Sequence, residues 1–449
     1  METTLVWIAA TLLAAGIFIP YLIKFRKAQT QAIQRLEEAR ALGINRPLGQ
    51  YPQIDRSVCI GCGSCVEACP EGDVLAVVWG TAEVINGDHC VGHGYCETAC
   101  PVGALKVGLG DIKSRPDIPF LSDKNETSVP GIFIAGELSG ISLIRHAIVQ
   151  GRIVADEIAV RIEANPSRKD FDLVVVGAGP AGLTAALTAR KHNLSCVVLD
   201  QYDLGGTIQH YPRRKLVMTQ PAEIPFYGSL KRAEYSKEEL LEIWQAVAES
   251  SALDIRTGQK VESVLRQDDG FQVIVADGAA FTGSYVVLAM GRRGSPRKLE
   301  VPGEDLPKVL YQLIDAQSYR DQQVLVVGGG DSAVEAAVGL ARQAGNNVTI
   351  SYRKPQFFRI KKKNEDAVKR LIDEKKIKTI FESQVTEIRD DSVVLSTPHE
   401  IIELPNDIII IQAGGIPPFE MLKKIGIAFG GDSIDVKEAD RRYLSSVAN

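Results

Sequence analysis

An α/β fold with two doubly wound units is what this 449-residue sequence predicts, and three observations predict it. Residues 171–206 read FDLVVVGAGPAGLTAALTARKHNLSCVVLDQYDLGG: an apolar run, a glycine turn, an Ala-rich helical pattern, and a second apolar run ending on Asp200. The same grammar returns at QVLVVGGGDSAVEAA, so both units are Rossmann-like. Seven of the eight cysteines fall between Cys59 and Cys100, which sets apart a small third region.

In the first unit each glycine has its own task. Gly177 allows the tight turn, Gly179 lets backbone amides approach a pyrophosphate at the helix N-terminus, and Gly182 lets helix and strand pack closely. Asp200 is then placed to accept from an adenosine ribose hydroxyl. A glycine turn in an unrelated α/β protein is the plainer alternative, and the full strand–turn–helix–strand–acid order argues against it. The sequel Gly205-Gly206-Thr207 resembles the flavin-side loop of two-dinucleotide-binding flavoproteins, the family that includes thioredoxin reductases. That resemblance implies FAD.

The chain has room for about three domains. Its 51 Lys and Arg against 56 Asp and Glu, a net charge of −5, offer no footprint for nucleic acid. Cysteines clustered at short spacings in such a chain point to metal ligation in a reducing compartment, not to a disulfide scaffold.

At the N-terminus, Leu5–Ile23 is free of charge and roughly 28 Å long as a helix. It reads as a transmembrane anchor over residues 1–27, with a buried soluble helix as the alternative. Glu2 precedes it and Lys24, Arg26, Lys27 and Arg35 follow, which argues against a cleaved signal peptide and puts the catalytic body in the cytoplasm. The expected location is therefore the cell membrane, single-pass, with Trp7 and Tyr21 as interfacial aromatics and Pro20 tolerated near the helix end. Residues 28–50 read as a helical stalk ending near Gly43.

The cysteine block, residues 51–110, runs Cys59-x-x-Cys62-x-x-Cys65-x-x-x-Cys69-Pro70, then Cys90-x-x-His93-x-x-Cys96-x-x-x-Cys100-Pro101. It resembles a bacterial two-cluster ferredoxin, which implies a small α+β domain with two 4Fe–4S clusters. In that family three thiolates of one loop take three irons and the fourth cysteine serves the other cluster. The resemblance assigns Cys59, Cys62, Cys65 and Cys100 to one cluster, and Cys90, Cys96 and Cys69 to the second. His93 stands where the family has cysteine. Imidazole ligation, a three-cysteine 3Fe–4S site and a bystander histidine all stay open. Zinc would better suit two C-x-x-C pairs further apart.

Residues 111–128 read as a linker. Then Val129–Ile162 resembles the segment that closes the FAD domain at the far end of thioredoxin-reductase-like chains, with Gly136-Glu137 in place of that family's Gly-Asp. The resemblance implies a circularly permuted FAD domain over 129–295, its closing segment placed first, with the helix start near Arg145-His146-Ala147 facing the flavin. Domain termini commonly lie close together, which makes permutation feasible.

Glu239–Ala248 reads as a helix, and residues 261–288 alternate in strand fashion. VVLAMGRRGSPR resembles the family's exit from the FAD domain. The second unit, in a NAD(P) domain over 296–415, has Gly328, Gly330 and Ala333 at the G-x-G-x-x-A positions. Its second strand runs into Tyr352-Arg353-Lys354 with no carboxylate. Cations there favour a 2′-phosphate, hence NADP(H) over NAD, with Arg359 as a helper. A solvated basic loop continuing through Lys361–Lys363 is the alternative. Residues 416–449 form a C-terminal segment.

One absence shapes the chemistry. Thioredoxin reductases carry a redox Cys-x-x-Cys just before the second glycine unit, and here the corresponding residues are Leu310-Tyr311-Gln312-Leu313-Ile314-Asp315. Cys196, in an apolar strand, reads as core. The expectation is a membrane-anchored oxidoreductase moving electrons between NAD(P)H, FAD, iron–sulfur clusters and an unknown electron-transfer protein or quinone, with no catalytic side chain and a homodimer left open. A redox-sensing and docking module, and direct disulfide reduction at the flavin, are the alternatives.

Overall fold

The computed structural model describes residues 2–42, 50–109, 116–141, 143–166, 169–213, 215–218, 221–232, 234–357 and 360–430. The chain divides into two compact units, Met1–Gly110 and Asp111–Asn449.

The first unit opens with one continuous helix, Glu2–Leu42, that carries Pro20 inside it. Its polar half is held by its own unit: Gln29 donates from Nε2 to Val77 O at 3.1 Å and accepts from Trp79 N at 3.0 Å. Leu36 packs with Val78 and Ile85. The rest of the unit is two antiparallel pairs, Gln50–Ile54 with Leu105–Leu109 and Leu75–Val78 with Thr81–Val84. Between the strands lie two short helices, Ser64–Glu67 and Tyr95–Thr98, each entered through a left-handed glycine, Gly63 and Gly94.

The expected single-pass span is overturned, because among the described residues no helix is long and apolar enough to cross a membrane. Beyond Ile23 the same helix carries Lys24, Arg26 and Lys27 and packs its polar half on the strands of its unit. The cell-membrane location and the transmembrane element of the fold class fall with the span.

The second unit holds two sheets. The larger has seven strands, in the order Asp254–Arg256, Cys196–Leu199, Phe171–Val176, Ala280–Leu288, Gly270–Val275, Val261–Gln267. The seventh, Ile132–Ile134, pairs parallel with the end of Ala280–Leu288, Ile134 opposite Leu288. A strand that precedes the first glycine turn in sequence is thus part of the sheet that bears the turn. All three of its residues are fully buried, as expected for a strand covered on both faces.

Helix Ile144–Ala164 packs on helix Pro180–Lys191 at glycine-close range. A Cβ on Gly151 would lie 2.2 Å from Ala181 O. The last described residues pair with the segment before the glycine turns: Gly430 N donates to Ile118 O and Phe120 N to Ala428 O, both at 3.0 Å.

The smaller sheet has five parallel strands, ordered Val309–Leu310, Ile408–Ile411, Gln323–Val327, Asn347–Tyr352, Ile377–Phe381. A three-stranded antiparallel sheet, Gln384–Ile388, Ser392–Ser396 and Ile401–Pro405, stands beside it. The short pair Ser295–Pro296 with Gly415–Ile416 joins the two dinucleotide halves.

Candidate functional site

In the cysteine unit, Cys59, Cys62, Cys65 and Cys100 line one small cavity, walled otherwise by apolar side chains including Ile54, Ala82 and Leu105. Backbone amides aim at the sulfurs: Ala82 N at Cys59 Sγ, 3.4 Å, and Ala104 N at Cys100 Sγ, 3.2 Å. The loop closes this tightly because Gly61 is left-handed, and a Cβ on it would meet Gly80 O at 2.1 Å. Cys69, Cys90 and Cys96 form a second group. Burial, with the nearby Cys69, pushes the Cys90 thiol up to about 11, and burial, with the nearby Cys90 and Cys69, pushes the Cys96 thiol up to about 12. Thiols this crowded and dry ionise only against cationic partners, as iron ions are. His93 lies with its ring stacked on Tyr95, centroids 5.6 Å apart. Among the described residues no three His, Cys, Asp or Glu side chains converge as a single metal ion requires, and a cubane cluster spreads its ligands wider than one ion does.

The first glycine turn is tied to its acid. Ala178 N donates to Asp200 Oδ2 at 2.6 Å and Tyr202 N to Oδ1 at 2.8 Å. Burial nevertheless pushes the Asp200 carboxyl above its ordinary value. Two lone-pair positions remain for a ligand hydroxyl. Gly205 N donates to Ala178 O at 2.9 Å, so the Gly205-Gly206 loop lies against the turn. Gly182 sits so close to the strand that a Cβ would be 1.9 Å from Gly177 O, whereas one on Gly179 meets nothing nearer than Gly206 Cα at 3.8 Å. The mouth of the turn is open where a pyrophosphate would lie. Gly136 N is held by Gln150 Oε1 at 2.8 Å, and Glu137 follows it into the cleft described next.

A cleft of about 760 Å³ joins the two dinucleotide halves, a size that suits a cofactor. Glu137, Thr207, His210, Tyr211, Lys215, Arg292 and Arg293 line one side, and Gly328, Gly330, Asp331, Ala333 and Arg353 the other. A Cβ on Gly330 meets nothing within 4 Å, so this turn is open too. Arg353 and Lys354 are exposed after the second strand, and Arg353 faces the cleft. Arg359 lies outside the described residues. Cys196 packs against the core of the larger sheet, and burial holds its thiol far above the ordinary range.

Several cleft residues escape sequence reasoning. His210 Nδ1 pairs with Gln312 Oε1 at 3.1 Å, Arg213 N donates to Ile314 O at 2.9 Å, and Lys215 Nζ meets Glu335 Oε2 at 2.6 Å. These contacts cross between the two dinucleotide halves. The one local signal for them is the basic run from His210 to Lys215.

The second dinucleotide turn opens into the cleft, Thr207 after the loop tied to the first turn lines it too, and a cysteine unit lies on the same chain, features of a nicotinamide- and flavin-dependent oxidoreductase. Residues 174–441 match the pyridine nucleotide-disulphide oxidoreductase family and residues 51–101 the 4Fe-4S dicluster domain. The chain belongs to the pyridine nucleotide-disulphide oxidoreductase family and is an NAD(P)H-dependent flavin enzyme. A ferredoxin–NADP reductase of Ignicoccus hospitalis is 31% identical over 283 residues, 62% of this chain and 88% of that protein. The bacilliredoxin reductase Bdr of Bacillus subtilis is 27% identical over 259 residues, 57% of this chain and 80% of its own length. Among solved structures, bacillithiol disulfide reductase Bdr of Bacillus cereus superposes with a TM-score of 0.52 at 25% identity, covering 57% of this chain and 82% of that one.

Proposed function

We propose that the protein carries electrons between NADPH, FAD and two iron–sulfur clusters and exchanges them singly with an electron-carrier protein. The observation that carries this reading is the cleft. Gln312, Leu313 and Ile314 stand where thioredoxin reductases carry their redox dithiol, while seven of the eight thiols of this chain are gathered in the cluster unit. Bound flavin can accept a hydride and release single electrons, and thiolate-held clusters carry single electrons.

In this reading Gly177, Gly179, Gly182, Asp200, Gly205 and Gly206 hold FAD, with Gly136 and Glu137 beside it. The FAD domain is circularly permuted. Its support is the pairing of Ile132–Ile134 into the sheet of the first turn and the hydrogen bonds that join Gly430 to Ile118. Gly328, Gly330 and Ala333 cradle NADPH, and Arg353, Lys354 and Arg359 read its 2′-phosphate. Cys59, Cys62, Cys65 and Cys100 hold one 4Fe–4S cluster, a set supported by their shared cavity. Cys69, Cys90 and Cys96 hold the second, with His93 as the fourth ligand. The carrier is a ferredoxin-like protein, in keeping with the reductase relative named above.

Anaerobic titration with NADPH, followed by absorbance for flavin and paramagnetic resonance for clusters, tests the reading. Bleached flavin, reduced clusters and steady NADPH oxidation with a one-electron acceptor are expected. Bleached flavin with untouched clusters and consumption of a small disulfide would instead favour reduction at the flavin, the second reading, which the likeness to Bdr supports. A single reduction without turnover would mark a redox sensor.

A further inference from the structure

The two halves of the cysteine unit repeat one motif and differ in what covers it. Cys59-Ile60-Gly61-Cys62-Gly63 corresponds to Cys90-Val91-Gly92-His93-Gly94, and both middle glycines are left-handed, with φ of 66° and 77°. The second loop is covered by the first strand of the unit: Gln50 donates from Nε2 to Val91 O at 2.8 Å, and a Cβ on Gly92 would lie 2.0 Å from that nitrogen. Val91 is half-buried. In the first loop Gly61 abuts Gly80, and Ile60 is left 62% exposed. Ile60 and Val102 line the cavity of Cys59, Cys62, Cys65 and Cys100 and also reach solvent, so little more than one side chain separates that cavity from the surface. Among the eight cysteines Cys62 alone is exposed.

Beside this opening stands Trp79, 73% exposed. Trp79-Gly80 is the two-residue turn between Leu75–Val78 and Thr81–Val84, with φ of 49° and 81°. Positive φ at both central positions marks a type I′ turn, which asparagine followed by glycine adopts with least strain. A bulky aromatic residue there holds a strained backbone while its side chain packs on little, and strain of this kind collects at functional sites. Gln29 holds the turn in place, its Oε1 accepting from Trp79 N at 3.0 Å. The surroundings are acidic. Residues 50–109 contain seven Asp and Glu against two Lys and Arg. Asp55 carries the open loop, its backbone O accepting from Cys59 N at 3.0 Å and its Oδ1 from Ser57 N at 2.9 Å, and Glu67 is exposed at the end of the short helix after Cys62.

We propose that Trp79, Ile60 and Val102 form the docking face for the electron carrier, a one-electron carrier protein that brings an apolar centre and a cationic rim. The proposal rests on the reading above, in which the cavity behind Ile60 holds a cluster. Electrons pass between proteins only over short distances, and the first loop is the one left open. An exposed tryptophan is the residue type that anchors such a contact, and the acidic surroundings steer a cationic partner onto it. A second copy of this chain would bring the same acids to the same face and be repelled. Docking makes and breaks no covalent bond. Over one turnover NADPH gives up a hydride, two carrier molecules gain one electron each, and one proton is left in solution.

The test uses the full chain under anaerobic conditions with NADPH as donor, cytochrome c as a cationic one-electron probe, and ferricyanide as a small acceptor that needs no docking face. Trp79→Asn suits the turn, so the melting temperature is expected to hold or rise, with iron content and ferricyanide reduction unchanged. The calorimetric dissociation constant for oxidised cytochrome c and the KM for its reduction are expected to rise about tenfold or more. Added salt should weaken cytochrome c binding in the wild type, and Glu67→Lys should weaken binding and flatten that salt dependence. An unchanged dissociation constant and KM in Trp79→Asn overturns the proposal, as does wild-type protein that reduces ferricyanide but neither binds nor reduces cytochrome c. Self-association of the wild type that Trp79→Asn abolishes would give the face to a second copy and overturn it too. Wild-type protein that passes electrons to neither acceptor would instead defeat the proposed function itself.

Discussion

The two glycine turns share one backbone design and differ at the register position that ends the second strand. Gly177 N donates to Leu199 O at 2.7 Å and Gly328 N to Ser351 O at 3.0 Å, so Asp200 in the first unit corresponds to Tyr352 in the second. Asp200 spends its carboxylate on the turn amide of Ala178 and on Tyr202. The Tyr352 ring instead lies over the turn, 2.4 Å from where a Cβ of Gly329 would stand, and stacks on Phe357. The helix positions differ as well. Gly182 has no room for a methyl group, while Ala333 carries one, 3.1 Å from a Cβ built on Gly328. The first turn is closed at its helix position and its second strand ends on an acid, while the second leaves room there for a methyl group and its second strand ends on Tyr352, followed by Arg353 and Lys354. In the proposed reading the strand-end residue and its successors, not the glycines, set the chemistry at the ribose end.

The sharpest way to break this comparison is to force a side chain into the closed turn. Gly182→Val drives its Cβ into Gly177 O and should cost about 3 kcal/mol or more, with loss of bound flavin colour. Thermal unfolding and the absorbance of purified protein measure both. Gly179→Val separates binding from folding. Its φ of −81° suits valine and the nearest atom is 3.8 Å away, so stability should fall by about 1 kcal/mol or less. The side chain would still fill the cradle, and FAD affinity should drop at least about a hundredfold. A variant that keeps stoichiometric FAD would show that the pyrophosphate does not lie there.

Next in size is the ribose end of the second turn. Arg353→Glu replaces a cation facing the cleft with an anion. NADPH should weaken by about 2–3 kcal/mol, some thirty- to 150-fold in dissociation constant, and NADH by little. Equal losses for both nucleotides would mean that Arg353 does not read the 2′-phosphate.

What was legible in the sequence was local. Glycine turns and cysteine spacings are short-range signals, and the Ser236-x-x-Glu239 capping box, which the sequence reading passed over, is made, Ser236 Oγ accepting from Glu239 N. Helix Lys237–Ser250 begins where that box puts it, two residues before the expected start at Glu239. The cleft contacts were not legible. His210 and Gln312 are 102 residues apart and Lys215 and Glu335 are 120 apart, and no periodicity within either stretch couples them. The N-terminal reading went wrong for a related reason. An apolar count sees Leu5–Ile23 in isolation, but the helix runs unbroken into residues such as Gln29 and Leu36 that belong to the packing of the cysteine unit.

The mildest test is the mirror of the first, Ala333→Gly in the second turn. Ala333 is fully buried in helix Asp331–Ala341, and removing its methyl group opens the very space that Gly182 already uses. The change makes the second turn resemble the first at this position without touching a charge. Glycine in a helix costs about 1 kcal/mol relative to alanine, and the lost methyl contact adds a few tenths. Flavin content should be unchanged and NADPH affinity should move less than about threefold, since neither Gly330 nor Arg353 is disturbed. Paired melting curves of Ala333→Gly and Gly182→Val, read with NADPH and NADH titrations, check this. If the two substitutions cost alike, or if Ala333→Gly alone shifts the preference between the nucleotides, then the helix position and not the strand end sets the difference between the turns.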